Sequence, residues 1–451
     1  MPFNCSRFVL YDVVGKIGEG TYGEVYQAYT REATPRLLAI KTFKPGKEGE
    51  GVSPTAIREI MLLREMHHPN VVHLDATLIC RQDPSLSLVF EYAEHDLYEM
   101  VRSHRERTAK SVPPGQGFGA YTLKSLMWQL LAGTAAMHAA HLMHRDLKPS
   151  NVLVMGEGSQ QGQVKIADFG LARIFTSPLR PLSDNGVVVT IWYRAPELLL
   201  GAKHYTTAVD MWALGCIFGE LLTLRPLFHG EERKTPATAF QIDQMDKIMR
   251  VMGAPSARTW PELEALPHWS NNADGVRSWQ PHSKPPGLHQ HLSNTARGGG
   301  TDKTAALDLL TALLEYNPRN RITAAQALNH PYFKQEPLPG NNAFVQNGQQ
   351  VAWFPVRQKV PPKAPMDPQG TVTQPPRAPQ GPPLPSVPTT GPNRLTPTVS
   401  QQQLDAAPNR RQPSSTVGTK RPASSQPQPQ RRLPDGDDKG LLQEQILLAQ
   451  L

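Results

Sequence analysis

Five separated groups of residues hold the chemistry this chain can do. Gly18-Glu19-Gly20-Thr21-Tyr22-Gly23 spaces its glycines so that backbone can approach a polyphosphate, and Ile17, Glu24 and Val25 flank it. Lys41 ends the run Ala39-Ile40-Lys41, and Glu59 follows on the next segment, placed to pair with it. His144-Arg145-Asp146-Leu147-Lys148-Pro149-Ser150-Asn151 puts a carboxylate, an ammonium and an amide within a few residues. Asp168-Phe169-Gly170 and Ala195-Pro196-Glu197 complete the series. An amine for phosphate oxygens, hard oxygen donors for Mg2+, and a carboxylate able to take a hydroxyl's proton suit phosphoryl transfer. That reaction is catalysed mainly by positioning and by stabilising charge. The glycine run alone is ambiguous, because dinucleotide folds use it too. Those folds want a helix after the glycines, whereas Glu24-Val25 resumes strand alternation. The segment reads as a flap over a triphosphate.

These groups need elements to hold them. Apolar alternation on both sides of the glycines predicts a hairpin over 8–28, and 37–41 a further strand. Over 55–66, Ile57 with Met61 and Ile60 with Leu63 recur at helical spacing. Beyond residue 120 the balance shifts to helix, most clearly over 123–138, 210–222 and 240–252. The expected class is α+β: a small β-rich lobe with one helix, then a larger helical lobe. Residues 105–119, broken by Pro113-Pro114 and glycines, are expected to form a surface loop.

Composition sets the limits. The chain has 451 residues, 47 Lys and Arg against 39 Asp and Glu, and 44 prolines that crowd together after Phe333 with Gln, Ser and Thr. The expected organisation is a folded domain over 8–333 and a disordered Pro/Gln-rich tail over 334–451, too poor in apolar residues to build a core. Leucines over 441–451 are spaced for a short amphipathic helix. Cys5, Cys80 and Cys216 lie far apart without a CxxC pair, which argues against a disulfide framework or a thiolate zinc site and for an intracellular protein. His67-His68 reads as loop, not metal site. No apolar run suits a secretory signal or a membrane span. The net charge of +8 comes without interleaved aromatics, so direct nucleic-acid binding is not expected.

The five groups, in this order, resemble the eukaryotic protein kinases over residues 8–333. That resemblance implies a bilobal fold using ATP and Mg2+. Ile17 to Val25, including Gly20, Thr21 and Tyr22, would cover the nucleotide, with Ala39, Phe90, Glu91 and Ala93 around the adenine. Lys41, held by Glu59, would meet the α- and β-phosphates. Asp146 would be the catalytic carboxylate, Lys148 a cation near the γ-phosphate, and Asn151 and Asp168 the metal ligands. A pseudokinase would lack one of these residues; all are present.

Ser53-Pro-Thr-Ala-Ile-Arg58-Glu59 resembles the helix signature of the cyclin-dependent kinases. It implies that a cyclin presses the helix inward, and that the lone chain leaves Lys41 unpaired. Phe90-Glu-Tyr-Ala-Glu-His-Asp-Leu97, Val187 to Arg194 and Leu198 to Tyr205 resemble the Mediator-associated members of that family, although Phe169 stands where the animal members carry methionine. This implies a C-type cyclin, the other Mediator kinase-module subunits, a nuclear location, and RNA polymerase II C-terminal repeats and transcription factors as substrates. Another transcription-associated cyclin-dependent kinase, or a Mediator scaffold with secondary catalysis, are the alternatives. The pairs Lys420-Arg421 and Arg431-Arg432 resemble a loose nuclear import signal.

In most of that family an activating phosphothreonine gathers three arginines. Here its position is Asn185, while Arg58, Arg145 and Arg173 remain. Clustered cations need an anion, and Asp184 or an acidic group from a partner is the candidate. Thr190 is expected to hydrogen-bond near Asp146 and Lys148. Arg194 would hold the second valine of Val188-Val189 in a strained form that favours proline after the target residue, since proline has no N–H to satisfy. Glu197 with Arg321 reads as a structural ion pair, and Asp210 as a brace for the catalytic loop.

Overall fold

Apolar alternation builds the first sheet. Strands β1 (Tyr11–Glu19), β2 (Gly23–Thr30), β3 (Leu37–Phe43), β4 (Leu74–Cys80) and β5 (Ser85–Glu91) form an antiparallel sheet in the order β1-β2-β3-β5-β4. Ala28, Leu38, Ile40 and Val89 pack together on one face. The period of two turns their neighbours the other way: Val25 pairs with Lys41, and Ala39 with Phe90. The computed structural model describes residues 10–19, 23–43, 54–80, 85–110, 117–156, 158–175, 190–232, 240–271, 287–295 and 303–355. Gly20, Thr21, Tyr22, Asp184, Asn185, Val188, Val189, the basic pairs of the tail and the leucines of 441–451 lie outside them.

Helix α1 (Pro54–Glu65) buries Ala56, Glu59, Ile60 and Leu63 and leaves Met61 exposed, so the apolar face is rotated from the Ile57–Met61 pair. A two-residue strand, β6 (His95–Asp96), leads into α2 (Leu97–Lys110) and then α3 (Ala120–Ala139). The loop expected over 105–119 is therefore helical to Lys110. Leu97, Met100, Val101, His104 and Thr108 are buried at helical spacing that continues through the charged Arg105-Glu106-Arg107 stretch. Strands β7 (Leu142–Met143), β8 (Val152–Val154), β9 (Val164–Ile166) and β10 (Arg173–Ile174) frame the loops that carry the polar groups. After the turn helix α4 (Pro196–Leu199) comes α5 (Ala208–Thr223), every residue of which is buried. A helix buried all round belongs in the middle of a lobe, and Trp212 and Phe218 anchor it there.

The unstructured tail expected from residue 334 is not what residues 335–355 do. Ala343, Phe344 and Phe354 are buried against the helical lobe, with a small hairpin of β11 (Val345–Gln346) and β12 (Gln349–Gln350) between them. A few well-placed apolar side chains suffice where a folded surface already exists, and averaging composition over the whole tail hides them. Among the described residues no helix is long and apolar enough to cross a membrane.

Candidate active site

A cleft of about 480 Å³ gathers most of the predicted residues. Ile17, Gly18, Glu19, Gly23, Val25 and Ala39 line it from the sheet, Phe90, Glu91 and Ala93 from the connection after β5, and Lys41, Glu59, Asp146, Lys148, Asn151 and Asp168 from deeper in. Gly23 has a second reason to be glycine: a Cβ there would collide with the Thr42 carbonyl on β3. Glu24 turns away. Its carboxylate takes hydrogen bonds from Lys16 at 2.7 Å and Tyr26 at 2.6 Å, and it is not among the lining residues. Val72, Asp96, Ser150, Leu153, Ala167 and Leu171 line the cleft without having been singled out in the sequence, and Tyr92 lines it between Glu91 and Ala93. Only Leu153, between the buried Val152 and Val154, carried a usable signal in its alternation.

Lys41 Nζ sits between two carboxylates, 2.9 and 2.8 Å from the oxygens of Glu59 and 3.0 Å from Oδ1 of Asp168. Burial works against the ammonium, but the carboxylates of Glu59 and Asp168 outweigh it and hold its pKa above the ordinary lysine value. Burial likewise opposes the Asp168 carboxylate, yet Lys41, with Lys148 adding to it, keeps it below the usual carboxylate range. The expectation that the chain by itself leaves Lys41 unpaired is corrected: Glu59 is 1% exposed, and α1 packs on the turn Phe169–Leu171. A buried carboxylate in that position stays charged only with its cation beside it.

The loop before β8 is held in an unusual backbone form. Arg145 has φ of 70° and Asp168 has φ of 66°, both in the left-handed region that costs a non-glycine residue about 1–3 kcal/mol. Asp210, from α5, holds the first in place by accepting the N–H groups of His144 at 2.9 Å and Arg145 at 2.8 Å, while its Oδ2 also meets His138 at 2.9 Å. His144 Nε2 donates to the Ala167 carbonyl at 3.0 Å, and its Nδ1 accepts the Asp146 N–H at 3.3 Å. One neutral tautomer satisfies both, tying the Asp146 loop to the strand that ends at Asp168. Asp146 Oδ2 accepts from Lys148 at 2.7 Å and from Asn151 Nδ2 at 3.0 Å. The amide nitrogen also donates to the Asp146 carbonyl at 2.8 Å, which leaves Oδ1 of Asn151 as the atom suited to a hard cation. With the Asp168 carboxylate, this donor set fits a divalent ion that also takes phosphate oxygens. Among the described residues no group of three or more His, Cys, Asp and Glu side chains forms a separate metal site.

Residues 11–333 match the family of the protein kinase domain. The chain is similar to cyclin-dependent kinase E-1 of Arabidopsis thaliana, 57% identical over 337 residues that make up 74% of this chain and 68% of the relative. It is 49% identical to the probable cyclin-dependent kinase 8 of Dictyostelium discoideum over 332 residues, 73% of this chain and 82% of that one. This chain belongs to the cyclin-dependent kinases. A fungal relative, the serine/threonine-protein kinase SSN3 of Phaeosphaeria nodorum, is 44% identical over 362 residues, 74% of this chain and 77% of the relative. The protein is thus a Ser/Thr protein kinase with the two-lobed fold, and the family uses ATP and a divalent cation.

The expected structural ion pair is present: Arg321 donates to both oxygens of Glu197, at 2.8 and 3.0 Å, and is buried. Arg58, Arg145 and Arg173 spread over several partners. Arg58 Nη1 donates to the Gly170 carbonyl at 3.4 Å and Arg173 Nη1 to the Ala172 carbonyl at 3.1 Å. Arg145 lies 5.6 Å from the Tyr205 ring, and its buried Nη1 has no hydrogen-bond partner among the described residues. Thr190 precedes the turn Ile191–Tyr193, and the bond expected from it to Asp146 or Lys148 is not formed among the described residues. Lys148 and Asn151 already occupy Asp146 Oδ2. Arg194 closes the same turn, its N–H donating to the Ile191 carbonyl at 3.0 Å.

Proposed function

We propose that this kinase works with a C-type cyclin as the catalytic subunit of the Mediator kinase module in the nucleus. Its substrates are Ser-Pro and Thr-Pro sites in RNA polymerase II C-terminal repeats and in transcription factors. The observation that carries the catalytic part is the convergence of Lys41, Glu59 and Asp168 with Asp146, Lys148 and Asn151 in one cleft. The likeness to the plant kinase E-1, the amoebal kinase 8 and the fungal SSN3 supports the choice within the family.

Mg2+, when bound by Asp168 and Asn151, neutralises charge on the phosphates. The chain's own groups do the rest. Lys41, oriented by Glu59, takes the phosphates nearer the nucleoside. Asp146 accepts the hydrogen bond of the target hydroxyl, aligns it with the γ-phosphorus and receives its proton as the new O–P bond forms and the bond from the γ-phosphorus to the β,γ-bridging oxygen breaks, ADP leaving with that oxygen. Lys148, already on Asp146, offers positive charge to the transferred group. Purification from cells with bound subunits, followed by mass spectrometry, tests the assignment: a C-type cyclin and Mediator subunits are expected, and a different cyclin overturns it. Peptides ending the target motif in Ser-Pro and Ser-Ala test the specificity, and equal turnover rejects it.

Activation without loop phosphorylation belongs to the same reading. Asn185 cannot take a phosphate, and Nη1 of Arg145, which has no hydrogen-bond partner among the described residues, calls for an anion, which Asp184 or an acidic group of a partner supplies. Activity that survives phosphatase treatment is expected. Its collapse would show that a phosphate elsewhere, for example on Ser183 or Thr176, fills the role.

A further inference from the structure

Residues 335–355 are fastened to the kinase along their whole course. Lys124, on α3, donates to the Gln335 carbonyl at 2.7 Å, and Ser125 accepts the Gly340 N–H at 3.0 Å. Tyr121 places its hydroxyl 3.0 Å from the Asn342 carbonyl and 3.2 Å from that of Val345. Ala343 N–H donates to the carbonyl of Gly162, in the turn between β8 and β9, at 3.1 Å. That glycine has φ of 71°, and a Cβ there would strike Asn342. After the hairpin the segment turns toward α2. The Trp353 ring lies 5.2 Å from the Arg107 guanidinium and 5.5 Å from the His104 ring. Phe354 stacks edge-on against both Phe344 and His95.

The last contact is the informative one. His95 Nε2 donates to the Pro355 carbonyl at 2.6 Å, and this side chain is buried. His95 and Asp96 are the whole of β6, which pairs with Leu153 and Val154 on β8. Strand alternation turns adjacent side chains to opposite faces, so His95 meets the 335–355 segment while Asp96 lines the nucleotide cleft. Oδ1 of Asp96 also accepts the Glu99 N–H at 2.7 Å, at the start of α2. A two-residue strand has little ladder of its own to fix it. Its far side is fixed by the segment.

We propose that residues 335–355 are a built-in strap that sets the position of β6, and that His95 is a positioning residue for nucleotide binding, acting through Asp96. The proposal rests on the reading of the cleft as the nucleotide site. It follows that a kinase cut after Phe333, where the family match ends, lacks part of what shapes its own cleft.

The test uses the full chain bound to its cyclin. Magnesium ADP affinity is measured by calorimetry, alongside KM for ATP, KM for peptide, kcat and the melting temperature. His95→Ala and Phe354→Leu are each expected to weaken ADP and raise KM for ATP about three- to tenfold, as loss of one hydrogen bond or ring contact would. Peptide KM and kcat should stay within about twofold. His95→Gln, whose amide can donate to the same carbonyl, should restore most of the affinity. Unchanged ADP affinity in both His95→Ala and Phe354→Leu, whether or not melting falls, overturns the proposal, as does a Gln variant no better than Ala. Failure of the unmutated kinase to bind ADP would instead sink the nucleotide reading of the cleft.

Discussion

Tyr193 donates a 2.6 Å hydrogen bond to Oε2 of Glu220, tying the turn Ile191–Tyr193 to the buried helix α5. Burial pushes the Glu220 carboxyl up to about 7, against the lowering effect of that hydrogen bond. The folded state therefore binds a proton between about 4.5 and 7 that the unfolded chain releases. Stability from this group is fully present below the lower value, declines as pH rises, and levels off above about 7.

Over that span the loss amounts to roughly 3 kcal/mol, at about 1.4 kcal/mol per pH unit. Glu220→Gln keeps an acceptor for Tyr193 and removes the titration. Melting curves of both proteins between pH 5 and 8 should show the variant gaining on the wild type as pH rises, then running parallel above pH 7. A constant offset across the range would refute the assignment.

Asp146→Asn isolates the proton acceptor from the nucleotide site. The amide can still accept from Lys148, so the loop should hold its shape, but it cannot take the hydroxyl's proton. Turnover is expected to fall by roughly 10²–10⁴-fold, the range of general-base contributions, with ADP affinity within about twofold. Steady-state kinetics with calorimetry on the same preparation decides it; a variant retaining a tenth of its activity would remove Asp146 from that role.

The catalytic cluster was legible in sequence because phosphoryl transfer needs particular residue types in a fixed order, and neither Lys41 nor Asp168 has a substitute. The sheet was legible as well: alternation put Val25, Ala39 and Lys41 on one face and Leu38 and Ile40 on the other. What escaped was set by contacts distant along the chain. Whether Glu59 faces Lys41 without a partner depends on the packing of α1 against the Phe169–Leu171 turn. Glu24 sits beside a phosphate-binding motif, yet its fate was decided by Lys16 and Tyr26. The polar stretch at 105–110 is helix because Leu97, Met100, Val101 and His104 had already committed α2 to a buried face. Residues 335–355 read as tail because their few apolar residues gain meaning only against α2 and α3.

Asp210→Asn should separate bracing from chemistry. The carboxylate takes two backbone N–H groups and His138, and it is wholly buried. An amide offers one acceptor oxygen and turns its own N–H₂ toward one of those donors. Losing a charge-assisted bond and crowding a second donor should cost about 2–4 kcal/mol. The backbone at Arg145 would be released from its left-handed form, and Asp146 with it. Turnover should therefore drop further than urea unfolding stability alone accounts for. A variant that is destabilised but fully active at low temperature would confine Asp210 to a packing role.

His104 gives the opposite pH signature from Glu220. Its Nδ1 donates to the Met100 carbonyl at 2.9 Å, and its ring lies 4.1 Å from that of Phe118 and beside Trp353 of the strap. Burial lowers its pKa to about 4, with the Met100 bond resisting and the Arg107 charge adding to the drop. The unfolded chain takes up a proton near 6.5 that the folded ring refuses, so stability present above 6.5 is lost as pH falls toward 4. The full loss is again about 3 kcal/mol, from roughly 1.4 kcal/mol per pH unit. His104→Phe keeps an aromatic ring against Phe118 and cannot protonate. Between pH 7.5 and 5 its melting temperature should fall less than that of the wild type, with the gap opening below 6.5; identical acid sensitivity in the two proteins would place the titrating group elsewhere.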